Sequence, residues 1–212
     1  TSDLNAWVGL FAEFAECFNI KADKNTLFST LYQKAMEGDK DCGGMIACNY
    51  YSGEPVTGLE EGRPMFLRRP DSHLGLANFM RSHLYASLAT LKIGLDILLK
   101  EEDVKIDSIT GHGGLFKTKG VGQSILAAAM NAPISVMETA GEGGAWGMAL
   151  LAAYMLFKKD GQSLGDYLDS RVFAERKSET MEPDLADVAG FETYTKQYQA
   201  CLAAEKAAVQ AF

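Results

Sequence analysis

Apolar side chains recur at helical spacing from the first turn of the chain. Leu4, Trp7, Val8, Phe11, Phe14 and Phe18 share one face and predict a helix over residues 4–18, and Leu27, Phe28, Leu31 and Met36 predict a second over residues 25–37. Gly38, Gly43 and Gly44 break the period, and the apolar run 45–51 reads as a strand. A loop rich in Gly, Pro, Glu and Arg covers residues 52–70. It leads to a long helix over residues 72–100 with the stripe Leu84, Leu88, Leu91, Leu95 and Leu98. The pattern then changes twice in the same way. A β-like run (104–110) passes through glycines to a helix (121–131), and a second apolar run (134–137) passes through glycines to another helix (145–157). In that helix Ala145, Met148, Ala149, Ala152, Met155 and Leu156 form an apolar stripe. A polar span, 158–186, holds a short helix near 164–173 and precedes a last helix over 187–208. Alternating strands and helices predict an α/β fold.

The first glycine turn carries the most chemistry. Gly111-His112-Gly113-Gly114-Leu115-Phe116-Lys117-Thr118-Lys119-Gly120 lies between a strand and a helix, an arrangement that can seat a phosphate. Glycines let the backbone approach an anion, and a helix start offers unpaired N–H groups and the positive end of its dipole. Lys117 and Lys119 add positive charge beside it. The spacing fits neither G-x-G-x-x-G nor G-x-x-x-x-G-K-[ST]. Plain turn chemistry is the competing reading. Thr118 is a candidate N-cap, and His112 reads as a turn residue tolerating positive φ. The second cluster, Gly141-Glu142-Gly143-Gly144-Ala145-Trp146-Gly147, opens the helix over 145–157, where Glu142 could meet a helix dipole. Trp7 and Trp146 read as packing residues.

Composition narrows the function classes. At 212 residues and 47% hydrophobic, the chain can bury a core as one domain, 1–212, or as one large piece of one. Its net charge of −8 disfavours nucleic acid or an anionic membrane as the main partner. No run of about 18 apolar residues suggests a membrane span, and the start lacks a signal-peptide pattern. Cys17, Cys42, Cys48 and Cys201 have no Cys-x-x-Cys spacing and read as reduced thiols, so neither a disulfide framework nor a metal site is expected. A cytoplasmic location is the expectation. No Gly-x-Ser-x-Gly elbow or Cys/His pair argues for a hydrolase.

The run from Ile106 to Ala153 resembles the C-terminal ATP-site segment of the FGGY carbohydrate kinases, of the actin-like ATPase superfamily. Gly111, Gly113 and Gly114 stand at the family's three-glycine turn, and Glu142, Ala145, Gly147 and Ala149 follow its Glu-x-x-Ala-x-Gly-Ala-Ala pattern, with Met148 in place of an alanine. Tyr50-Tyr51-Ser52-Gly53-Glu54-Pro55 is similar to the family's aromatic Ser-Gly-Glu-Arg loop without its arginine. The helix with Arg81 resembles the family's long Arg-Ala helix, and Glu182-Pro183-Asp184 with Phe191, Tyr194 and Tyr198 its C-terminal Pro-Asp and tyrosine helix. The family's N-terminal Asp-x-Gly-Thr phosphate loop, its interdomain catalytic Asp and the Gly-Thr hairpin of its second domain do not occur here.

The resemblance implies an actin-like ATPase (ribonuclease H-like) domain, the C-terminal half of a two-domain sugar kinase lacking its opening β-hairpin. On that reading the three strands belong to a sheet with an unprotected edge, and Trp7 and Phe11 are more exposed than their helix pattern implies. It further implies ATP with Mg2+ as cofactors and a pentulose such as xylulose as substrate. Gly111, Gly113, Gly114, Lys117 and Thr118 become candidate ATP-binding residues. The catalytic base is expected in the missing N-terminal domain, which is the chief partner, with a possible homodimer beside it. A non-kinase ATPase or nucleotide sensor of the same superfamily, and a structural or interaction domain without nucleotide, are the alternatives.

Overall fold

The helical periods appear as α1 (Ser2–Glu16), α2 (Lys24–Ala35), α3 (Leu76–Lys100), α4 (Val121–Met130), α5 (Gly143–Phe157), α6 (Leu164–Tyr167) and α7 (Leu185–Ala211). They are seen in a computed structural model that describes residues 2–137, 141, 143–174 and 178–211. Several starts are fixed by side chains that accept the otherwise unpaired N–H groups of a first turn. The Asp23 carboxylate accepts from the N–H groups of Asn25 and Thr26 at 3.0 and 3.1 Å to open α2. Asp184 accepts from Ala186 and Asp187 at 2.9 and 3.0 Å to open α7. Ser163 does the same for α6, which continues as a π-helical turn over Leu168–Phe173.

Strands β1 (Met45–Cys48) and β2 (Met65–Arg68) form an antiparallel pair. Strands β3 (Ile109–Gly111), β4 (Ile134–Met137) and β5 (Ser178–Met181) form a second sheet in the order β3-β4-β5, with β3 parallel to β4 and β5 antiparallel to it. The three strand runs read from the sequence therefore do not share one sheet, because β1 pairs with β2. β3 is also shorter than its apolar run: Val104 and Ile106 lie before it and are exposed. β2 and β5 fall in spans expected to be loop. β5 reads Ser-Glu-Thr-Met and becomes a strand through β4, where the Ser135 and Thr180 hydroxyls meet at 2.8 Å.

The core lies where the first half of α3 meets α7, β1 and α4. Met80, Leu84, Tyr85, Ala89, Ile125, Phe191, Tyr194 and Tyr198 are almost wholly buried there. The Tyr194 hydroxyl donates to the Ser82 carbonyl at 3.0 Å, so the polar tip of a buried ring is satisfied. Arg81 is buried with it. Its guanidinium reaches the Asp187 carboxylate, the Tyr85 hydroxyl and the carbonyls of Ala35, Met36 and Gly38, tying α3 to α7 and to the end of α2. Gly190 lets α7 lie on the loop after α2, since a Cβ there would stand 2.1 Å from the Lys40 carbonyl oxygen.

Two apolar faces depart from the sequence expectation. On α1, Leu4 and Val8 are buried and Trp7 and Phe11 half-buried, while Phe14 is exposed, as is Phe18 past the end of the helix. On α5 the expected stripe forms but no residue of the helix is buried; Met148, Met155 and Leu156 are 69%, 77% and 76% exposed. Among the described residues no helix is long and apolar enough to cross a membrane.

Candidate functional site

Both glycine turns leave the sheet at the C-terminal ends of its parallel strands, β3 and β4, and they meet there. A Cβ on Gly143 would stand 3.0 Å from His112 Cβ, and one on Gly141 would stand 3.1 Å from Lys117 Cγ. The start of α5 thus lies against the first turn, and Glu142, the family-like residue between these glycines, is outside the described residues. Open α/β sheets hold ligands at such strand ends.

The three glycines of the first turn have different physical roles. Gly111 ends β3 buried against Phe116, whose ring atoms would stand 2.4 Å from an added Cβ, so this position must lack a side chain for the ring to pack. Gly113 adopts φ 107 and ψ −175, a region open essentially to glycine alone. The positive φ therefore falls on Gly113 rather than on His112. Around Gly113 and Gly114 an added Cβ would meet nothing within 4 Å, leaving the backbone open to a ligand.

The chain does not enter α4 directly. Gly114–Lys117 forms a 3-10 turn, Thr118 is extended after it, and Gly120 (φ 80) is the residue that begins α4, with no side-chain cap. Thr118 is thus not the N-cap. Its side chain instead sits at the junction, 8% exposed, and its carbonyl accepts from the Val121 N–H at 3.3 Å. Gln123, for which the sequence offered no signal, anchors the helix to the sheet: its amide donates to the Ile134 carbonyl at 2.7 Å and the Glu179 carbonyl at 2.8 Å.

Gly114, Lys117 and Thr118 line a groove of about 730 Å³ whose other wall is α2 and the start of α1, through Asn5, Thr26, Phe28, Ser29 and Tyr32. Three of the five candidate residues share this groove; Gly111 and Gly113 shape the turn behind it. The α2 contribution was invisible in the sequence because residues some ninety positions apart meet only through the fold. The two ends of the groove carry different groups. At the α2 end the helix start is already neutralised by Asp23, which the Thr26 hydroxyl and amide hold below the usual carboxylate range. At the turn end stand open backbone and the Lys117 ammonium. Phe28 and Tyr32 pack edge to face at 5.6 Å, and burial pushes the Tyr32 phenol up to about 12, so Tyr32 stays neutral. Among the described residues no carboxylate lines the groove. Among the described residues no cluster of His, Cys, Asp or Glu could hold a metal ion.

Xylulose kinase from Rhodospirillum rubrum is similar in structure, with a TM-score of 0.64 and 19% identity, over 96% of this chain and 37% of that one. Gluconate kinase from Lactobacillus acidophilus gives 0.61 and 18% over 82% of this chain and 34% of its own. Plasmodium falciparum glycerol kinase with ADP gives 0.57 and 17% over 91% and 37%. The chain thus spans little more than a third of the length of these enzymes. No curated protein sequence is significantly similar to it. Together with the family match over residues 1–156, these likenesses show an actin-like ATPase fold. Residues 1–156 match the C-terminal domain of the FGGY family of carbohydrate kinases, and the chain belongs to that family.

Proposed function

We propose that residues 1–212 form one C-terminal domain that holds the nucleotide of an ATP-dependent carbohydrate kinase, with a pentulose such as xylulose as the phosphate acceptor. The observation that carries this reading is the groove in which open glycine backbone at Gly114, with Gly113 shaping the turn behind it, stands beside Lys117 and across from Phe28. Phosphoryl transfer needs a held nucleotide, neutralised charge and a base for the attacking hydroxyl. This chain serves the first. The turn admits phosphate or ribose against its N–H groups, Lys117 adds charge, Thr118 offers a hydroxyl, and Phe28 and Leu115 add apolar lining suited to a base ring.

Mg2+ neutralises phosphate charge when bound; since the described residues of the groove wall supply no carboxylate, the ion would be carried by the nucleotide and by residues elsewhere in the enzyme. The base and most of the sugar pocket are assigned to the portion of the relatives that this chain does not span. The exposed apolar face of α5 and the open edge of β3 suit contact with that portion. The test is direct. ATP should raise the melting temperature of the chain, while Mg-ATP with xylulose, ribulose, gluconate or glycerol should yield no phosphorylated product. No thermal shift would remove the nucleotide assignment, and turnover by this chain alone would overturn the division of roles.

A further inference from the structure

The C-terminal helix carries a carboxyl that the kinase reading does not use. Glu205 lies on α7, beyond the residues that match the family, and is fully buried. One of its oxygens, Oε1, accepts from the backbone N–H of Arg63 at 2.6 Å. The other, Oε2, is buried with no hydrogen-bond partner among the described residues. Arg63 directs its guanidinium to the Gly62 carbonyl at 2.8 Å and the Glu61 carboxylate at 3.1 Å, so it is the backbone of this segment that Glu205 grips. The segment is seated tightly. A Cβ on Gly62 would stand 2.5 Å from Tyr50 Cβ, and one on Gly53 would stand 2.3 Å from the Glu60 carbonyl oxygen.

We propose that Glu205 is a proton-sensitive latch that docks the segment between β1 and β2 onto the C-terminal helix when protonated and releases it when ionised. An ionised carboxylate needs donors on both oxygens, and here one buried oxygen has none among the described residues. A protonated acid keeps the Arg63 contact through one oxygen and leaves a neutral hydroxyl where the charge would be. The groups facing it do little to hold the charge. Cys48 from β1 and Cys201 from α7 are buried or half-buried thiols raised by burial. The Arg63 amide and its positive charge favour ionisation, but burial outweighs them and lifts the Glu205 carboxyl above its usual range. With the folded value above the unfolded one, the stabilising contribution is complete at pH below the unfolded carboxyl range. It is lost as pH rises through the folded value.

The experiment is hydrogen exchange by mass spectrometry on the whole chain, wild type against Glu205→Gln, with rates corrected for the intrinsic effect of pH. In the wild type, protection of peptides covering 50–65 should fall with rising pH, local opening increasing by up to about tenfold per pH unit between the unfolded and the folded value and levelling off above it. In Glu205→Gln, which keeps an oxygen acceptor and cannot ionise, the same peptides should stay protected at every pH. Glu205→Ala should expose them throughout, and the glutamine variant alone decides the matter if the alanine variant does not fold. The same pH dependence in wild type and Glu205→Gln would overturn the latch, as would protection of 50–65 that never changes with pH in the wild type.

Discussion

Alanine placed singly at the three turn glycines should have three different outcomes. At Gly113 the backbone sits at φ 107, ψ −175, where a side chain costs about 1–3 kcal/mol. No neighbour lies within 4 Å of the added Cβ, so the whole penalty is conformational and cannot be relieved by repacking. If nucleotide binds the native turn, a mutant that must hold it against that penalty loses affinity by about 5- to 150-fold, at about 1.4 kcal/mol per tenfold. At Gly114 the Cβ is also unopposed but φ is ordinary, so stability should change by less than about 0.5 kcal/mol, while a methyl projecting at the groove wall weakens binding. At Gly111 the new Cβ overlaps the Phe116 ring, and the ring must shift, at about 1–3 kcal/mol. Urea denaturation followed by tryptophan fluorescence gives the stabilities, and calorimetric titration with ADP gives the affinities. Gly113→Ala matching the wild type in both, or Gly114→Ala losing stability and not affinity, would contradict the roles given to these glycines.

Arg81→Met should cost about 3–5 kcal/mol in urea denaturation, because it strands the buried Asp187 carboxylate and three carbonyls at the end of α2. Lys40, 2.7 Å from Asp187, keeps the loss near the lower figure, and a loss under about 1 kcal/mol would contradict the role given to Arg81. Gly190→Ala should destabilise by about 4 kcal/mol or more, visible as loss of soluble protein, since its clash is with a backbone carbonyl that no rotamer change can relieve. Thiol titration of the native chain at pH 8 should find Cys17 reacting promptly and Cys201 slowly. Cys42 and Cys48 should react only on unfolding, because burial holds the Cys42 thiol well above its usual value and pushes Cys48 up to about 12; prompt reaction of three thiols would show that the β1 region is open.

What the sequence made legible was whatever is encoded within a few turns of chain. The helices from α1 to α7 follow from apolar period and cap residues, and β4 from a run bounded by glycine and proline. The turn could be located because glycine at φ 107 leaves a mark in the sequence, though not which glycine would carry it. β2 and β5 were hidden, since four-residue strands such as Ser-Glu-Thr-Met take their conformation from a partner and not from their own pattern. The same reason hid half of the groove. Thr26, Phe28 and Ser29 read only as one face of a helix until α2 is placed opposite Lys117 and Thr118. The apolar stripe of α5 was legible as a helix, but a period cannot say what covers it, and among the described residues nothing buries it.

Hydrogen exchange of the chain with and without saturating ADP tests the nucleotide assignment most directly. Added protection should concentrate at 113–118 and at 24–32, the two walls of the groove, leaving 12–22 unchanged. Absence of protection at 113–118, or protection confined to segments away from both walls, would contradict the placement of nucleotide on this turn.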